Sequence, residues 1–473
     1  MGADLMRTRD GRIAACCVLL LAALVLWLSL PGFIAAVAAI LPVDPVDMRI
    51  FARQAETFWQ TGQLYQRADN VVMAYLPNAA VYKFPPPFQL YIAPWMRHGM
   101  PPLFFEYCRW LLLVAYLLAV VLLVRLGNNL MQLAPVCDDK LAARLWPMVY
   151  GVIAVLVTLH FTPFFNGLTL IAIEVIFLLL FTLVLLTLRT YPLFAGALLA
   201  LAATAKIYPV FLLTVLLWQR NWRALLAFAV ASTLVSLVAL LVFGIAEVGY
   251  YTGTILPVLL AEQPVGWAEN LHLVFYLFPD GISHAAARAI CTALRFFFLA
   301  AWLLVLWRRQ PGSARNETLV FSLALVTMLL IMPNYWLQYQ VMLLLPALLV
   351  FTLALSSASV LALSLAGLAL LSMALSPEQV YPLLSYSFGG STDELYALVL
   401  REGEQSVMLR YAPAAWLVGQ LAALKPLAPY CLWLALVVLL FGRPAQDQRL
   451  PEKSFFSRRS FSELLSANPM RAR

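Results

Sequence analysis

Long apolar stretches, separated by short segments that hold most of the charged residues, run along nearly the whole chain. The stretches long enough to cross a bilayer lie near residues 13–35, 103–124, 145–161, 168–188, 224–243, 284–307, 317–333, 340–355, 359–375 and 426–441. A spanning helix needs about 20 mainly apolar residues, whereas the strands of a membrane barrel alternate apolar and polar residues. The continuous pattern therefore predicts an all-α polytopic membrane protein and excludes a barrel.

The apolar stretch 192–218 predicts two short helices rather than one span. Arg189 before it and Arg220 after it both fit the pattern of cytoplasmic basic residues, so the chain between them must cross an even number of times. Half of the stretch is only about 18 Å long as a helix, less than the ~30 Å hydrocarbon core. Pro209 favours a break, because the residues before a proline disfavour helix. Lys206 is predicted at the tip of this hairpin, at membrane depth.

The positions of Lys and Arg predict the orientation of the chain. They cluster at the N-terminus, in the connections after the predicted spans ending at 124, 188 and 307, and in the C-terminal tail, whereas residues 245–283 contain none. Cytoplasmic connections carry the excess of basic residues, so both termini are predicted in the cytoplasm. The first apolar run, 13–40, exceeds the roughly 7–15 residues of a signal-peptide core and predicts a retained helix. Counting the hairpin as two, about 12 helices are expected.

The connections also define the domain organisation. One transmembrane domain is predicted over residues 1–443, with external loops at 42–102, 245–283 and 376–410, and with a basic, disordered cytoplasmic tail at 444–473. The external loops are rich in aromatic residues and proline, and ordered loops of this length are usually functional. The external face is therefore where function is expected.

Composition narrows the class of function. Hydrophobic residues make up 63% of the 473 residues and charged residues 11%, which is too apolar for a soluble domain. The net charge of +8 follows membrane orientation, so no nucleic-acid partner is expected. The six cysteines form neither a CxxC pair nor a Cys/His cluster, so neither a disulfide framework nor a structural zinc site is supported.

The first external loop begins with two acids at the end of the first predicted helix. Asp44 fits the N-cap of a helix with Pro45 at its first position, and Asp47 at the third position would favour the helix dipole. Capping accounts for Asp44, whereas Asp47 also fits a general base that faces an external cavity. The helix over Asp47–Tyr65 is predicted to be amphipathic, lying at the interface or against the bundle, with Gly62 ending it.

Further candidates lie on the external side. A lysine at membrane depth is expensive, so Lys206 is a candidate phosphate ligand, with snorkelling or an internal salt bridge as alternatives. Three stretches have structural alternatives: a proline turn for Tyr82 and Lys83, an interfacial histidine for His272, and membrane-belt aromatics around Asn334, Trp336 and Gln340. The other candidate positions are Asn166, Tyr208 and Glu269. No nucleotide-binding loop or metalloprotease motif occurs in a credible context.

Four stretches resemble sequence patterns of the GT-C superfamily of membrane glycosyltransferases, and of glycosyltransferase family 87 in particular. They are Asp47, Phe51 and Ala55 with Gly62-Gln63-Leu64-Tyr65; Tyr82-Lys83-Phe84-Pro85-Pro86 with Ala93-Pro94; Ala195-Gly196 with Ala205-Lys206-Ile207-Tyr208-Pro209; and Pro333-Asn334-Tyr335-Trp336 with Leu345-Pro346. The chain departs from the family at Asn166-Gly167, where Gly-Gln is usual, and at Gln338-Tyr339-Gln340, where a histidine is common. Those positions bear on which sugar is used.

The resemblance implies an activity and roles for the candidate residues. It implies a GT-C-like fold that transfers a hexose, expected to be mannose, from a polyprenyl-phosphate donor to a lipid or glycan acceptor by single inverting displacement. It implies Asp47 as the base and Lys206, with Lys83 or His272, at the donor phosphate. It implies a substrate pocket formed by Asp44, Tyr82, Asn166, Tyr208, Glu269, Asn334, Trp336 and Gln340. No cofactor is required, although the two acids of the first loop leave a divalent metal open.

Two alternatives stay open from the sequence alone. A transporter or flippase of lipid-linked sugars also uses broken helices with a charge at membrane depth, although no repeat relates the two halves of this chain. A GT-C transferase with a pentose or aminosugar donor is the other. The protein is expected in the bacterial cytoplasmic membrane as a monomer surrounded by membrane lipids, with its active site facing the exterior.

Overall fold

The computed structural model describes residues 9–65, 84–133, 140–260, 269–278, 281–357, 359–374 and 424–442. Every regular element in these ranges is helical. The predicted tail 444–473, the predicted external loop 376–410, and the candidates Tyr82 and Lys83 lie outside the described residues. The division into a domain over 1–443 and a tail stays a prediction.

The described helices of the N-terminal half are α1 (Arg9–Ile40), α2 (Val46–Thr61), α3 (Pro86–Gln89), α4 (Phe104–Leu133), α5 (Lys140–Leu159), α6 (Thr162–Leu170), α7 (Glu174–Thr187), α8 (Pro192–Ala205), α9 (Leu213–Trp218) and α10 (Trp222–Phe243). Short 3-10 helices cover Ala93–Met96 and Tyr208–Leu212.

The described helices of the C-terminal half are α11 (Ile245–Tyr250), α12 (Leu256–Leu260), α13 (Glu269–Leu277), α14 (His284–Arg308), α15 (Ala314–Ile331), α16 (Leu344–Ser356), α17 (Val360–Ala374) and α18 (Ala428–Phe441). A π-helical turn covers Tyr251–Ile255, and 3-10 helices cover Leu337–Leu343 and Lys425–Leu427.

Six helical segments of the described chain are long and apolar enough to cross a membrane. They are Phe104–Leu130, Met148–Leu170, Trp222–Phe243, His284–Arg308, Ala314–Ile331 and Leu337–Leu355. The prediction of an all-helical chain with several membrane helices is confirmed, whereas the total of about 12 stays a prediction. Large side chains of α10 such as Leu226, Leu234 and Leu241 are exposed, as expected of a helix that faces lipid.

Two sequence predictions between residues 162 and 188 are wrong. The connection left between the predicted spans 145–161 and 168–188 is part of helix α6, and the expected span 168–188 is broken after Leu170. Ile171 adopts a left-handed conformation (φ 55°), which a β-branched residue rarely does, and α7 begins only at Glu174. An apolar run cannot reveal such a break, because every residue around it is compatible with a buried helix.

The 192–218 segment leaves one end of the bundle and returns to it. Helix α8 ends at Ala205, the backbone of Lys206 is extended, and a 3-10 helix leads into α9. Arg189 before α8 and Gln219 after α9 both bind the carboxylate of Glu317. The two ends of the segment therefore lie together, with Lys206 at its far point; whether the excursion enters lipid stays a prediction.

Close packing of α8 against α10 fixes the first half of this excursion. A Cβ on Gly196 would lie 2.1 Å from the carbonyl oxygen of Ala224, so only glycine allows the two backbones to approach. Small residues at helix crossings are typical of membrane bundles. The position of Lys206 is thus tied to the contact between α8 and α10.

Arg109, in the second turn of the apolar helix α4, joins the segment after α1 to the end of α6. Its side chain is 1% exposed and donates to the carbonyls of Leu41 and Val43, which follow α1, and to that of Leu168 (3.3 Å) at the end of α6. Carbonyls at the C-terminal ends of helices lack intrahelical donors, and an arginine fork suits several of them at once. The chain is thereby held just before Asp44 and just before α7.

Candidate active site

Helix α2 carries the predicted base and begins slightly later than the sequence suggested. Its N-cap is Pro45, without a side-chain cap, so the predicted capping by Asp44 is wrong. Asp44 instead forms an ion pair with Arg49 on the half-exposed surface. The prediction that Gly62 ends the helix is confirmed, since Gly62 has φ 73° and its N–H binds the carbonyl of Phe58. Asp47 is the second helical residue.

The apolar face of α2 packs on the bundle. Phe51, Ala55 and Phe58 are buried, and the ring of Phe58 lies 4.8 Å from that of Phe243 at the end of α10. The ring of Phe51 lies 4.5 Å from that of Phe84. Of the two interpretations of this stripe, packing against the bundle is the one observed.

The end of α2 is held by a buried acid from α11. The Oε2 atom of Glu247 accepts the backbone N–H groups of Leu64 (3.0 Å) and Tyr65 (3.1 Å), and the Tyr65 hydroxyl donates to the carbonyl of Phe84 at 2.7 Å. Burial raises the pKa of the neighbouring Tyr251 to about 12, so this residue stays a neutral phenol. The Gly-Gln-Leu-Tyr stretch thus has a structural role, which is to dock α2.

The charged centre of the described site is an ion pair between Lys206 and Glu174. The Lys206 Nζ atom contacts Oε1 of Glu174, and the two side chains are only 12% and 1% exposed. The same oxygen accepts the Tyr208 hydroxyl at 3.3 Å, and the Tyr339 hydroxyl lies 3.4 Å from Nζ. The internal salt bridge that the sequence offered as an alternative for Lys206 is therefore the contact observed.

Three separate parts of the chain form this cluster. Glu174 is the first residue of α7, Lys206 and Tyr208 lie at the break after α8, and Tyr339 belongs to the 3-10 helix before α16. The left-handed Ile171 turns the chain immediately before Glu174. Strained backbone of this kind is costly and often found at functional sites.

Aromatic faces complete the surroundings of the ammonium group. The Lys206 Nζ atom lies 4.6 Å from the ring centroids of both Phe84 and Tyr339. An aromatic face attracts a cation electrostatically and leaves its N–H groups able to donate hydrogen bonds to other partners. Because Phe84 also touches Phe51, one ring connects Lys206 to the helix that carries Asp47.

Sequence reasoning missed Glu174, Tyr339 and Arg109. An intramembrane acid or arginine is a functional or structural signal by default, so Glu174 and Arg109 could have been singled out inside the apolar runs 168–188 and 103–124. Tyr339 was noted only as a departure from the family pattern. Nothing in the spacing could have paired Glu174 with Lys206, because they are 32 residues apart.

The remaining described candidates lie in helix α6 and in or just before the 3-10 helix that carries Tyr339. Asn166 is part of α6, which packs on the 3-10 helix at 337–343. The Asn334 amide donates to the carbonyl of Leu259 (3.3 Å), and Trp336 is the N-cap of that 3-10 helix. Gln340 is fully buried and donates to the carbonyl of Lys425 at 3.2 Å.

The side-chain surroundings of four other candidates lie outside what the structure describes. They are Tyr82, Lys83, Glu269 and His272, the last two on helix α13. The side chain of Asp47 falls outside the description as well, and only its place on α2 is fixed. Their roles stay predictions.

Among the described residues, no group of three or more His, Cys, Asp or Glu residues could hold a metal ion. Asp44, one of the two acids that left a metal open, is engaged by Arg49. The described geometry offers an ion pair and aromatic faces, which suit an anionic, partly apolar ligand.

Comparison with known proteins adds the family. Residues 82–333, more than half of the chain, match the family model described as glycosyltransferase family 87. The chain belongs to glycosyltransferase family 87. No curated protein and no solved structure matches it significantly. The predicted family is thus confirmed, and with it a membrane glycosyltransferase activity.

Some of the candidate residues lie inside the part of the chain that matches family 87, and others lie outside it. It includes Glu174, Lys206 and Tyr208, and it ends at Pro333. Asp47 precedes the matched part, and Tyr339 follows it. The ion pair is therefore inside the family region. The prediction of Asp47 as base rests on the resemblance of the first loop, and Tyr339 on the described geometry of the cluster.

Proposed function

We propose that this family 87 enzyme transfers a hexose, mannose in the first instance, from a polyprenyl-phosphate donor to a lipid or glycan acceptor. The transfer occurs on the external face of the bacterial cytoplasmic membrane, with both termini inside and the protein acting as a monomer among membrane lipids. The distribution of Lys and Arg along the chain supports this orientation.

The observation that carries the proposal is the chain of contacts from Lys206 through Phe84 to α2. The Lys206 ammonium lies 4.6 Å from the Phe84 ring, which lies 4.5 Å from the ring of Phe51. Asp47 precedes Phe51 by one helical turn. A cation for the donor phosphate and an acid for the acceptor hydroxyl are thus carried by neighbouring elements.

The reaction is a single displacement at the anomeric carbon. Asp47 takes the proton of the acceptor hydroxyl, whose oxygen forms the new glycosidic bond. The bond between the anomeric carbon and the phosphate oxygen breaks, and polyprenyl phosphate leaves with the electron pair. Lys206 stabilises the charge that develops on the phosphate, which in a site of low dielectric contributes more than in water.

The test is transfer from labelled polyprenyl-phosphate mannose to envelope lipid by the purified chain. Asp47→Asn should reduce turnover by about 10²–10⁴-fold, because an amide cannot accept the proton. Glu56→Gln, the same exchange on the same helix, should leave turnover unchanged. Both variants should retain donor binding and the wild-type unfolding temperature.

Three other results would redirect the proposal. Full turnover by Asp47→Asn would limit Asp47 to stabilising the start of α2. Turnover only with a pentose or aminosugar donor would change the sugar and keep the mechanism. Movement of labelled lipid-linked sugar across vesicles without transfer to any acceptor would support the transporter alternative.

A further inference from the structure

The ion pair at the proposed donor site has no net charge. Lys206 supplies one positive charge and Glu174 one negative charge, and Glu174 is 1% exposed, so water screens it little. A cation dedicated to binding phosphate would be expected without a carboxylate on its ammonium group. The presence of Glu174 therefore needs an explanation, which depends on the proposed function.

Charge on the phosphate changes during the proposed reaction. The donor is a phosphodiester with one negative charge. When its bond to the anomeric carbon breaks, the phosphate leaves as a monoester, which carries close to two negative charges at neutral pH because its second pKa is about 6. The product thus carries more negative charge than the substrate at the same place.

A lone lysine would hold this product more tightly than the donor. Coulomb attraction grows with the charge of the anion, and release of product limits the turnover of many enzymes. A carboxylate beside the lysine repels a dianion about twice as strongly as a monoanion. Its repulsion therefore offsets most of the preference of the lysine for the product.

The geometry keeps the carboxylate in place when the ammonium turns to a ligand. Oε1 of Glu174 also accepts the Tyr208 hydroxyl at 3.3 Å, and Glu174 is the first, buried residue of helix α7. Lys206 ends α8 on an extended residue, and its ammonium rests on two ring faces. The lysine can reorient between carboxylate and phosphate while Glu174 stays within electrostatic range.

We infer that Glu174 is a specificity-determining counter-ion: it lets Lys206 bind the monoanionic phosphodiester of the donor and prevents it from retaining the dianionic phosphomonoester product. This inference rests on the proposed function, since it takes Lys206 as the ligand of the donor phosphate. It adds a residue that decides which phosphate species the site prefers.

The test compares two ligands on the purified full-length chain in lipid nanodiscs at neutral pH. Polyprenyl phosphate is the monoester, and its methyl ester is the matched diester; both compete with labelled donor. The wild type should bind the two within about threefold of each other. Glu174→Gln should bind the monoester at least about tenfold more tightly than the wild type does, with a smaller gain for the diester.

The kinetic consequence separates this role from a structural one. In Glu174→Gln, inhibition by polyprenyl phosphate should strengthen and kcat should fall while the KM for donor does not rise. Glu174→Asp keeps the charge and should keep the wild-type ratio of the two affinities. A merely structural glutamate would raise KM and lower kcat without changing the ratio.

Each contrary outcome is distinct. A wild type that prefers the monoester by tenfold or more overturns the counter-ion role directly, even if no variant folds. An unchanged ratio in folded Glu174→Gln overturns it while leaving the donor site intact. If neither ligand displaces the labelled donor from the wild type, phosphate binding near Lys206 fails, and the inference fails with it.

Discussion

The 192–218 excursion has an ion pair with a glutamate at its base, where it leaves and rejoins the bundle, and another at its far point. The two pairs are built differently. At the near end Arg189 forms a two-pronged contact with Glu317, with both N–O distances 2.8 Å. Gln219 (3.2 Å) and the N–H of Gly312 (3.0 Å) bind the same carboxylate. At the far end Lys206 meets a single oxygen of Glu174, between two aromatic rings.

The two pairs differ in whether the basic side chain can still bind a ligand. The Glu317 carboxylate is surrounded by donors from the protein, and the arginine fork leaves little freedom to exchange partners. The ammonium of Lys206 has a single carboxylate oxygen among its described anionic contacts and can turn toward a phosphate. The Arg189–Glu317 pair, whose carboxylate is fully hydrogen-bonded by the protein, stabilises the fold. The Lys206–Glu174 pair has fewer hydrogen bonds and is suited to binding a ligand, although both pairs contain the same charges.

The largest effect expected in this comparison comes from replacing both charged residues of each pair with uncharged ones. Lys206→Met with Glu174→Gln should reduce turnover by about 10²–10³-fold, as loss of a transition-state charge contact does, while thermal unfolding in detergent stays near the wild type. Arg189→Met with Glu317→Gln should keep turnover within a few-fold and lower stability by about 1–2 kcal/mol, because glutamine keeps only one acceptor oxygen and either Gly312 or Gln219 loses its acceptor.

Double variants are needed where stability is compared, because a single substitution would add the cost of a buried charge without its counter-ion to the unfolding temperature. Ratios of affinities, by contrast, can be measured on any single variant that folds. Turnover and unfolding temperature are measured on the same preparations. Equal loss of turnover in the two double variants would show that the pairs do not differ in function.

The sequence could predict the helical class because lipid burial demands continuous apolar residues, and that pattern is local. It could also predict the end of α2 at Gly62 and the break near Lys206, since glycine and proline act on the adjacent backbone. The family followed from motifs that lie in order along the chain. These features require no knowledge of which helices touch.

Long-range partners could not be predicted in this way. Glu174 lies in an apolar run interpreted as one span, and the break at Ile171 carries no local signal. The N-cap of α2 differs from the predicted one by a single residue, which is within the usual uncertainty of helix ends, yet it changes the role of Asp44 from cap to ion pair. Contacts between distant residues depend on packing, which one sequence does not reveal.

A smaller effect is expected from Gly196→Ala, which acts on the helix between the two pairs. The added Cβ would lie 2.1 Å from a backbone oxygen of α10, and overpacking of this kind costs about 1–3 kcal/mol. Arg189 is held by three hydrogen bonds of 2.8 Å to Glu317 and Gly312, so displacement of α8 should shift Lys206 more than Arg189. The KM for donor is therefore expected to rise. Gly367→Ala, with no atom within 4 Å of its Cβ, should not lower the unfolding temperature.

An unchanged KM together with a lowered unfolding temperature in Gly196→Ala would show that Lys206 does not depend on the seating of α8. A wild-type KM and a wild-type unfolding temperature in Gly196→Ala would show that α8 and α10 can move apart without loss of stability. That result would contradict the importance of their close contact.

The smallest effect should come from the ring faces that distinguish Lys206 from Arg189. Phe84→Leu keeps an apolar side chain and removes one face from the ammonium, a contact that contributes about 0.5–1 kcal/mol, so the KM for donor should rise by about two- to fivefold with kcat unchanged. Phe88→Leu is the control, because Phe88 also packs on Phe51 (5.3 Å) and makes no described contact with Lys206. If the two variants raise KM equally, the effect belongs to the packing of α2, and the aromatic faces do not hold the cation.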